Sequence, residues 1–281
     1  MNLKPGLYIV STPIGNISDI SFRAIETLKN SNMIFCEDTR VTAKLLAKYN
    51  IKKKLFIYND QSTLKERLQI AQLIQDGNII SLVSDAGTPL ICDPGYKLIE
   101  YLKQLNLHID IAPGPCSIIC ALTLSGMPTN NFYFGGFIPK SHAQVEKIFD
   151  QLKNLESSLV FFDTARNLVK NLEIAYEIYG DREISIVREI TKLYQETHNS
   201  TILNLIKEYK LKPPKGEIVI IISGNKSEKN NVDNIEEFIK ILSKKNLSTK
   251  DIVEIILLNY PNYNKKDIYK KTMQIRELVS K

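Results

Sequence analysis

Along the first 112 residues, short apolar runs alternate with stretches whose apolar side chains recur every three to four positions. The runs read as strands over 7–10, 33–36, 55–58, 79–83 and 108–112. The stretches between them read as helices. One is capped by Ser18 or Asp19 and carries Phe22, Ile25 and Leu28 on one face; the next carries Leu45, Leu46 and Tyr49. Two more span 64–74, ended by Gly77, and 98–105. Strands separated by helices predict parallel pairing with helices on the faces of the sheet.

Pro113-Gly114-Pro115 is the strongest punctuation in the chain and marks a first domain boundary. A second α/β half follows, with strands over 132–137, 159–162, 184–187 and 218–222 and a helix over 145–152. Beyond Ser223 the character changes. Residues 225–231 are polar and turn-rich, as in a linker, and 235–242, 250–258 and 265–278 read as three short helices. The expected organisation is an α/β domain at 1–113, a second α/β domain at 114–224, and a small basic helical appendage at 225–281. No internal repeat is visible.

In open parallel sheets, ligands gather at the carboxyl ends of the strands. Three unusual loops fall there: 11–16, 37–40 and 84–95. The last reads Ser84-Asp85-Ala86-Gly87-Thr88-Pro89-Leu90-Ile91-Cys92-Asp93-Pro94-Gly95. Its small residues and prolines make a rigid loop whose backbone can approach a ligand, and Asp85 and Asp93 can accept hydrogen bonds from hydroxyl or ammonium groups. A merely tight turn is the plain alternative. The chain has no Gly-x-Gly pair and no Gly-x-Ser-x-Gly elbow. Both the dinucleotide fingerprint and the phosphate-cradling loop are therefore missing, as are the hydrolase elbow and the glycine-rich first loop of Rossmann-type methyltransferases.

The net charge of +6 mildly favours an anionic partner, although an AT-rich genome also yields lysine and asparagine. Residues 226–281 hold twelve Lys or Arg against eight Asp or Glu, so +4 of the +6 lies there. Lys244-Lys245, Lys265-Lys266 and Lys270-Lys271 could meet phosphates, with Tyr263 and Tyr269 available to stack on bases; a solvated helical face is the alternative. The cysteines at 36, 92, 116 and 120 form no C-x-x-C pair and stand apart from the histidines at 108, 142 and 198, so no metal site is expected. Nothing resembles a signal peptide or a membrane span, which makes the cytoplasm the default.

Four motifs now align with a known pattern: Ser11-Thr12-Pro13-Ile14-Gly15-Asn16, Glu37-Asp38-Thr39-Arg40, the 84–95 loop, and Pro113-Gly114-Pro115-Cys116-Ser117. In order and spacing they resemble the ribosomal RNA small subunit methyltransferase I family of the tetrapyrrole-methylase superfamily. The resemblance runs from about residue 7 to 224. It extends to Ser125-Gly126-Met127-Pro128, Gly135-Gly136-Phe137, Arg188-Glu189-Ile190-Thr191-Lys192 and Lys215-Gly216-Glu217. The chain departs from the family pattern at Asn59, where a His is usual, and at Asp163 and Ala165, where a Glu and a His are usual.

The resemblance implies two α/β domains enclosing S-adenosylmethionine, and a homodimer. It also implies methyl transfer to the 2′-oxygen of a cytidine in small-subunit rRNA, with naked rRNA or the assembled small ribosomal subunit as partner. By the same resemblance Ile14, Asp85, Ala86, Gly87, Thr88, Cys116 and Ser117 line the cofactor pocket. A ribose hydroxyl is a poor nucleophile and benefits from a base or a cation. Asp38 is a candidate base or else a helix cap. Arg40 and Arg188 are candidates for electrostatic support, and Glu189 is a second candidate base unless it pairs structurally with Arg188. Two rivals share the fold: a corrinoid or porphyrin methyltransferase, and a non-catalytic ribosome-assembly factor. The 37–40 motif and the basic tail oppose the first, and the intact cofactor loops oppose the second.

Overall fold

A computed structural model describes residues 2–225, 232–245, 247–260 and 263–279. The chain forms two compact units, Met1–Gly224 and Asn225–Lys281. Among the described residues the first unit holds two separate five-stranded sheets.

The first sheet is built from β1 (Gly6–Val10), β2 (Met33–Cys36), β3 (Lys54–Ile57), β4 (Ile79–Val83) and β5 (Ile109–Ala112), in the order β3-β2-β4-β1-β5. Every pairing in it is parallel. Its helices are α1 (Phe22–Asn30), α2 (Thr39–Lys48), α3 (Leu64–Gln75) and α4 (Tyr96–Gln104). The strand order decides where the helices go. The β1-to-β2 and β2-to-β3 crossovers run one way along the sheet, and the β3-to-β4 and β4-to-β5 crossovers run the other. Right-handed crossovers of opposite direction lie on opposite faces. The buried residues agree: Ala24, Leu28 and Leu46 pack on one face with Tyr8 and Val10, while Ile70, Leu98 and Leu102 pack on the other with Leu7 and Ile80.

α1 starts later than its pattern predicts. Ser21 is the cap, accepting from the Ala24 N–H, and Ser18 and Asp19 belong to a preceding 3-10 turn. The shift turns Phe22 outward, 90% exposed, and leaves Ala24, Thr27 and Leu28 as the buried face.

The second sheet is mixed. It comprises β6 (Phe132–Phe137), β7 (Ser158–Thr164), β8 (Glu183–Arg188), β9 (Glu196–Thr201) and β10 (Glu217–Ile222), in the order β6-β7-β10-β8-β9. Only β6 and β7 run parallel; β10 is antiparallel to both of its neighbours, and β8 to β9. Its helices are α5 (Ser117–Ser125), α6 (His142–Leu152), α7 (Leu168–Tyr179) and α8 (Ile202–Leu211). Strand side chains alternate between faces. Ile218, Ile220 and Ile222 accordingly meet the α6–α8 side, and Val219 and Ile221 face α5. That second cluster also takes in Ile14 from the loop after β1, so the first sheet's loop packs against the second sheet.

The second unit contains α9 (Val232–Ser243), α10 (Thr249–Asn259) and α11 (Lys265–Val279) around its own apolar cluster, which includes Ile239, Ile252 and Ile268. The linker read at 225–231 lies outside the described residues except for Asn225. No described helix is long and apolar enough to cross a membrane.

Candidate active site

β1 and β4 are neighbours whose outgoing connections leave in opposite directions. Such a switch point opens a crevice at the carboxyl ends of the strands. The loops that leave these two strands meet there. Thr12 N–H donates to the Gly87 carbonyl at 2.8 Å, and Gly87 N–H donates back to the Thr12 carbonyl at 3.1 Å. The Thr88 hydroxyl donates to the Pro115 carbonyl at 3.1 Å and lies 3.0 Å from the Ser11 hydroxyl, tying in the loop after β5. Gly87 sits at φ +82°, where a side chain is strained, and a Cβ there would lie 3.3 Å from Ile14 Cγ2.

Backbone strain gathers around this crevice. Leu90 and Cys92 in the 84–95 loop have φ of 75° and 62°; Glu189 and Thr191, beyond β8, have φ of 50° and 63°. Among the described residues the other non-glycine residues of this kind are Asn50 and Asn106, and asparagine tolerates the conformation. A β-branched residue such as Thr191 does not, so surrounding contacts must hold it. The Asn16 N–H donates to the Thr191 hydroxyl at 2.9 Å, and a Cβ on Gly15 would lie 2.6 Å from Lys192 Cγ. Loop 11–16 and loop 189–192 therefore lock the two sheets together.

Between the sheets lies a cavity of about 290 Å³. Ile14, Ala86, Gly87, Thr88, Cys116 and Ser117 line it from one set of loops, and Phe137, Phe162, Ile190 and Val219 supply apolar surface. Its charged groups are the carboxylates Asp93, Asp163 and Glu217. Burial pushes the Asp93 and Asp163 carboxyls up, against hydrogen bonds that favour ionisation. Cys116 caps α5 without a side-chain hydrogen bond, so the first amides of that helix remain available to a ligand. The lining suits a flat, mostly apolar ligand that bears hydroxyls and positive charge. The adenine, ribose, sulfonium and ammonium of S-adenosylmethionine match it in kind.

Asp85 stands elsewhere. It lines a neighbouring cavity of about 380 Å³, and its Oδ1 accepts the Asp38 N–H at 3.1 Å. Asp38 caps α2, accepting the Arg40 N–H at 2.8 Å, and pairs with Arg40 Nη2 at 2.5 Å. Those hydrogen bonds hold its carboxyl down to about 2. Arg188 pairs with Glu196 at 2.5 Å, and Glu189 with Lys192 at 3.0 Å, so the adjacent Arg188 and Glu189 each have a partner of their own. Glu189 also accepts the Glu217 N–H at 3.0 Å, and the backbone N–H and the Lys192 ammonium hold its carboxyl below the usual range. A Cβ on Gly216 would collide with that carboxylate. None of Asp38, Arg40, Arg188 and Glu189 lines either cavity; Asp38 and Glu189 stand one hydrogen bond behind residues that do.

Lys192, Glu217 and Asp163 were not among the sequence-derived site residues, although the first two fall inside quoted motifs; Asp93 was read from the 84–95 loop as a possible hydrogen-bond acceptor and does line the cavity. Asp163 is 6% exposed and accepts from Asn171 Nδ2 at 2.9 Å and from the Thr164 N–H at 2.7 Å. Of the other departures, Asn59 organises a turn with Gln61 and Ser62, and Ala165 packs against the α6–α8 core.

Comparisons with known proteins bear on what this cleft serves. A family profile described as Tetrapyrrole (Corrin/Porphyrin) Methylases matches residues 6–206. The Ribosomal RNA small subunit methyltransferase I of Rickettsia prowazekii is 54% identical over 270 residues, 96% of each chain. The protein of the same name from Thermotoga maritima is 41% identical over 218 residues, 78% of this chain and 98% of that one. Among solved structures, a diphthine synthase superposes with TM-score 0.59 at 12% identity, covering 78% of this chain and 89% of that one. The uroporphyrin-III-C-methyltransferase of Thermus thermophilus gives 0.55 at 14% identity, with coverage of 76% and 93%. At these identities the structural likenesses speak for the fold alone.

Proposed function

The chain belongs to the ribosomal RNA small subunit methyltransferase I family, within the tetrapyrrole methylases, and from that premise we propose that it methylates the 2′-oxygen of a cytidine in small-subunit rRNA. It is an S-adenosylmethionine-dependent methyltransferase. The observation that carries the reading to this chain's own residues is the cleft at the β1/β4 switch point, with its apolar walls and its carboxylates.

When bound, S-adenosylmethionine supplies a methyl group on a positively charged sulfur. The chain's share is binding and positioning, which can provide much of the acceleration. Ile14 and Val219 offer apolar surface to the adenosine, the first amides of α5 offer donors, and Asp93 and Glu217 favour positive charge. The rigid 84–95 loop keeps Gly87 and Thr88 in place. Asp38, Arg40, Arg188 and Glu189 then serve as a polar frame near the acceptor, each engaged by a protein partner. A homodimer and a cytoplasmic location belong to the same reading.

The test offers the purified protein S-adenosylmethionine labelled in its methyl group together with small ribosomal subunits, naked rRNA or a tetrapyrrole. Label recovered as 2′-O-methylcytidine after RNA digestion is the expected result. Label in the tetrapyrrole and none in RNA would overturn it, as would subunit binding with no turnover.

A further inference from the structure

The neighbouring cavity has a chemistry opposite to that of the first. Lys44, Lys48 and Lys192 line it, together with Asp85 and Glu217. Lys44 and Lys48 lie one turn apart on α2, and Val41 and Leu45 beside them complete one face of that helix toward the cavity. Neither Lys44 nor Lys48 forms an ion pair among the described residues. Thr42 also lines the cavity, and its buried hydroxyl meets the Cys36 thiol. Ile14, Ala86 and Glu217 line both cavities, so the two adjoin along these residues.

We propose that this second cavity is the acceptor subsite, with Lys44 and Lys48 holding RNA phosphates and Glu217, at the boundary, facing the reacting ribose hydroxyl. The proposal rests on the methyltransferase reading above. Charge assigns the occupants. A cavity whose charged groups are all carboxylates suits a cationic donor, and the adjoining one, with free lysines, suits a polyanion. Lys192 positions Glu217, reaching it at 3.0 Å while also holding Glu189 at 3.0 Å. Burial disfavours the Lys192 ammonium, but the two carboxylates outweigh it and raise its pKa, so it stays charged. Glu217 is 83% exposed at its side chain, free to turn toward a substrate. In the step, the hydroxyl oxygen forms the new O–C bond as the S–C bond breaks and leaves its electron pair on sulfur. The hydroxyl proton passes to the Glu217 carboxylate and then to water.

The experiment measures binding of small ribosomal subunits lacking the modification, across a salt series, with cofactor affinity followed separately by calorimetry. The double replacement Lys44→Ala/Lys48→Ala should weaken subunit binding at least tenfold. It should also flatten the log–log salt slope by about 0.7 for each lysine lost. Cofactor affinity should stay within twofold, and Lys44→Arg/Lys48→Arg should restore binding. Glu217→Gln should lower kcat on the order of a hundredfold or more with KM for the subunit little changed. Unaltered subunit affinity and slope in the lysine variant would overturn the assignment, as would a loss of cofactor affinity in its place. A wild-type protein that neither binds nor methylates the subunit would overturn the functional reading, and this subsite with it.

Discussion

At the scale of single residues, Gly87 and Asp38 carry the clearest consequences. Gly87 holds a positive φ while bridged to Thr12, so Gly87→Ala strains the loop even before a ligand arrives. A left-handed conformation costs an ordinary residue about 1–2 kcal/mol. The variant should lose about that much stability in denaturant unfolding and bind cofactor more weakly in calorimetry; no change in either would count against the loop's role. Asp38 gives a pH signature. Its carboxyl falls from 3.8 to about 2 on folding because Arg40 bonds to it. A depressed pKa contributes stability that is complete above pH 4 or so and vanishes as pH falls through about 2. Asparagine still caps a helix. Asp38→Asn should therefore be less stable than the parent near neutrality and converge with it by about pH 2, as read from urea midpoints across that range. Gly87 was legible because small residues in a long loop after a buried strand already point to close backbone approach. The Lys192–Glu217 pair was not, because residues 25 apart meet only through the antiparallel ladder that sets β8 beside β10.

Among elements, the first sheet could be read almost strand for strand, since its inner strands β1, β2 and β4 are largely buried and appear as continuous apolar runs. The second sheet resisted. β9 reads Glu196-Thr197-His198-Asn199-Ser200-Thr201, with no apolar run to mark it, and it exists because β8 offers it a ladder at the sheet's edge. α7 and α8 also went unread; each joins strands that run the same way, β7 to β8 and β9 to β10, so the reversal that makes β10 antiparallel to its neighbours is the turn between β8 and β9. How firmly this face is packed can be measured. Phe149 of α6 is 1% exposed, 5.5 Å from the Phe161 ring and 5.3 Å from Tyr179, centroid to centroid. Phe149→Ala should cost about 3–5 kcal/mol. A loss below about 1 kcal/mol would mean that α6 is not pinned to the sheet as described.

For the whole molecule, the division falls at Gly224 and Asn225, and the family profile ends before it, at residue 206. The basic helices α9–α11 have a core of their own. We expect them to help hold RNA and to take no part in methyl transfer. Deleting 225–281 should leave cofactor affinity nearly unchanged while weakening subunit binding and flattening its salt dependence. Equal affinities and slopes for the full and shortened chains, once both are confirmed folded and equally oligomeric, would assign the lysines to mere solvation. The central claim concerns what the first unit does to RNA, and mass spectrometry of rRNA nucleosides from cells with and without the gene reaches it most directly. One 2′-O-methylcytidine should vanish from small-subunit rRNA on deletion and return with the wild-type gene but not with the Glu217→Gln form. An rRNA nucleoside profile identical in both cells would contradict the account.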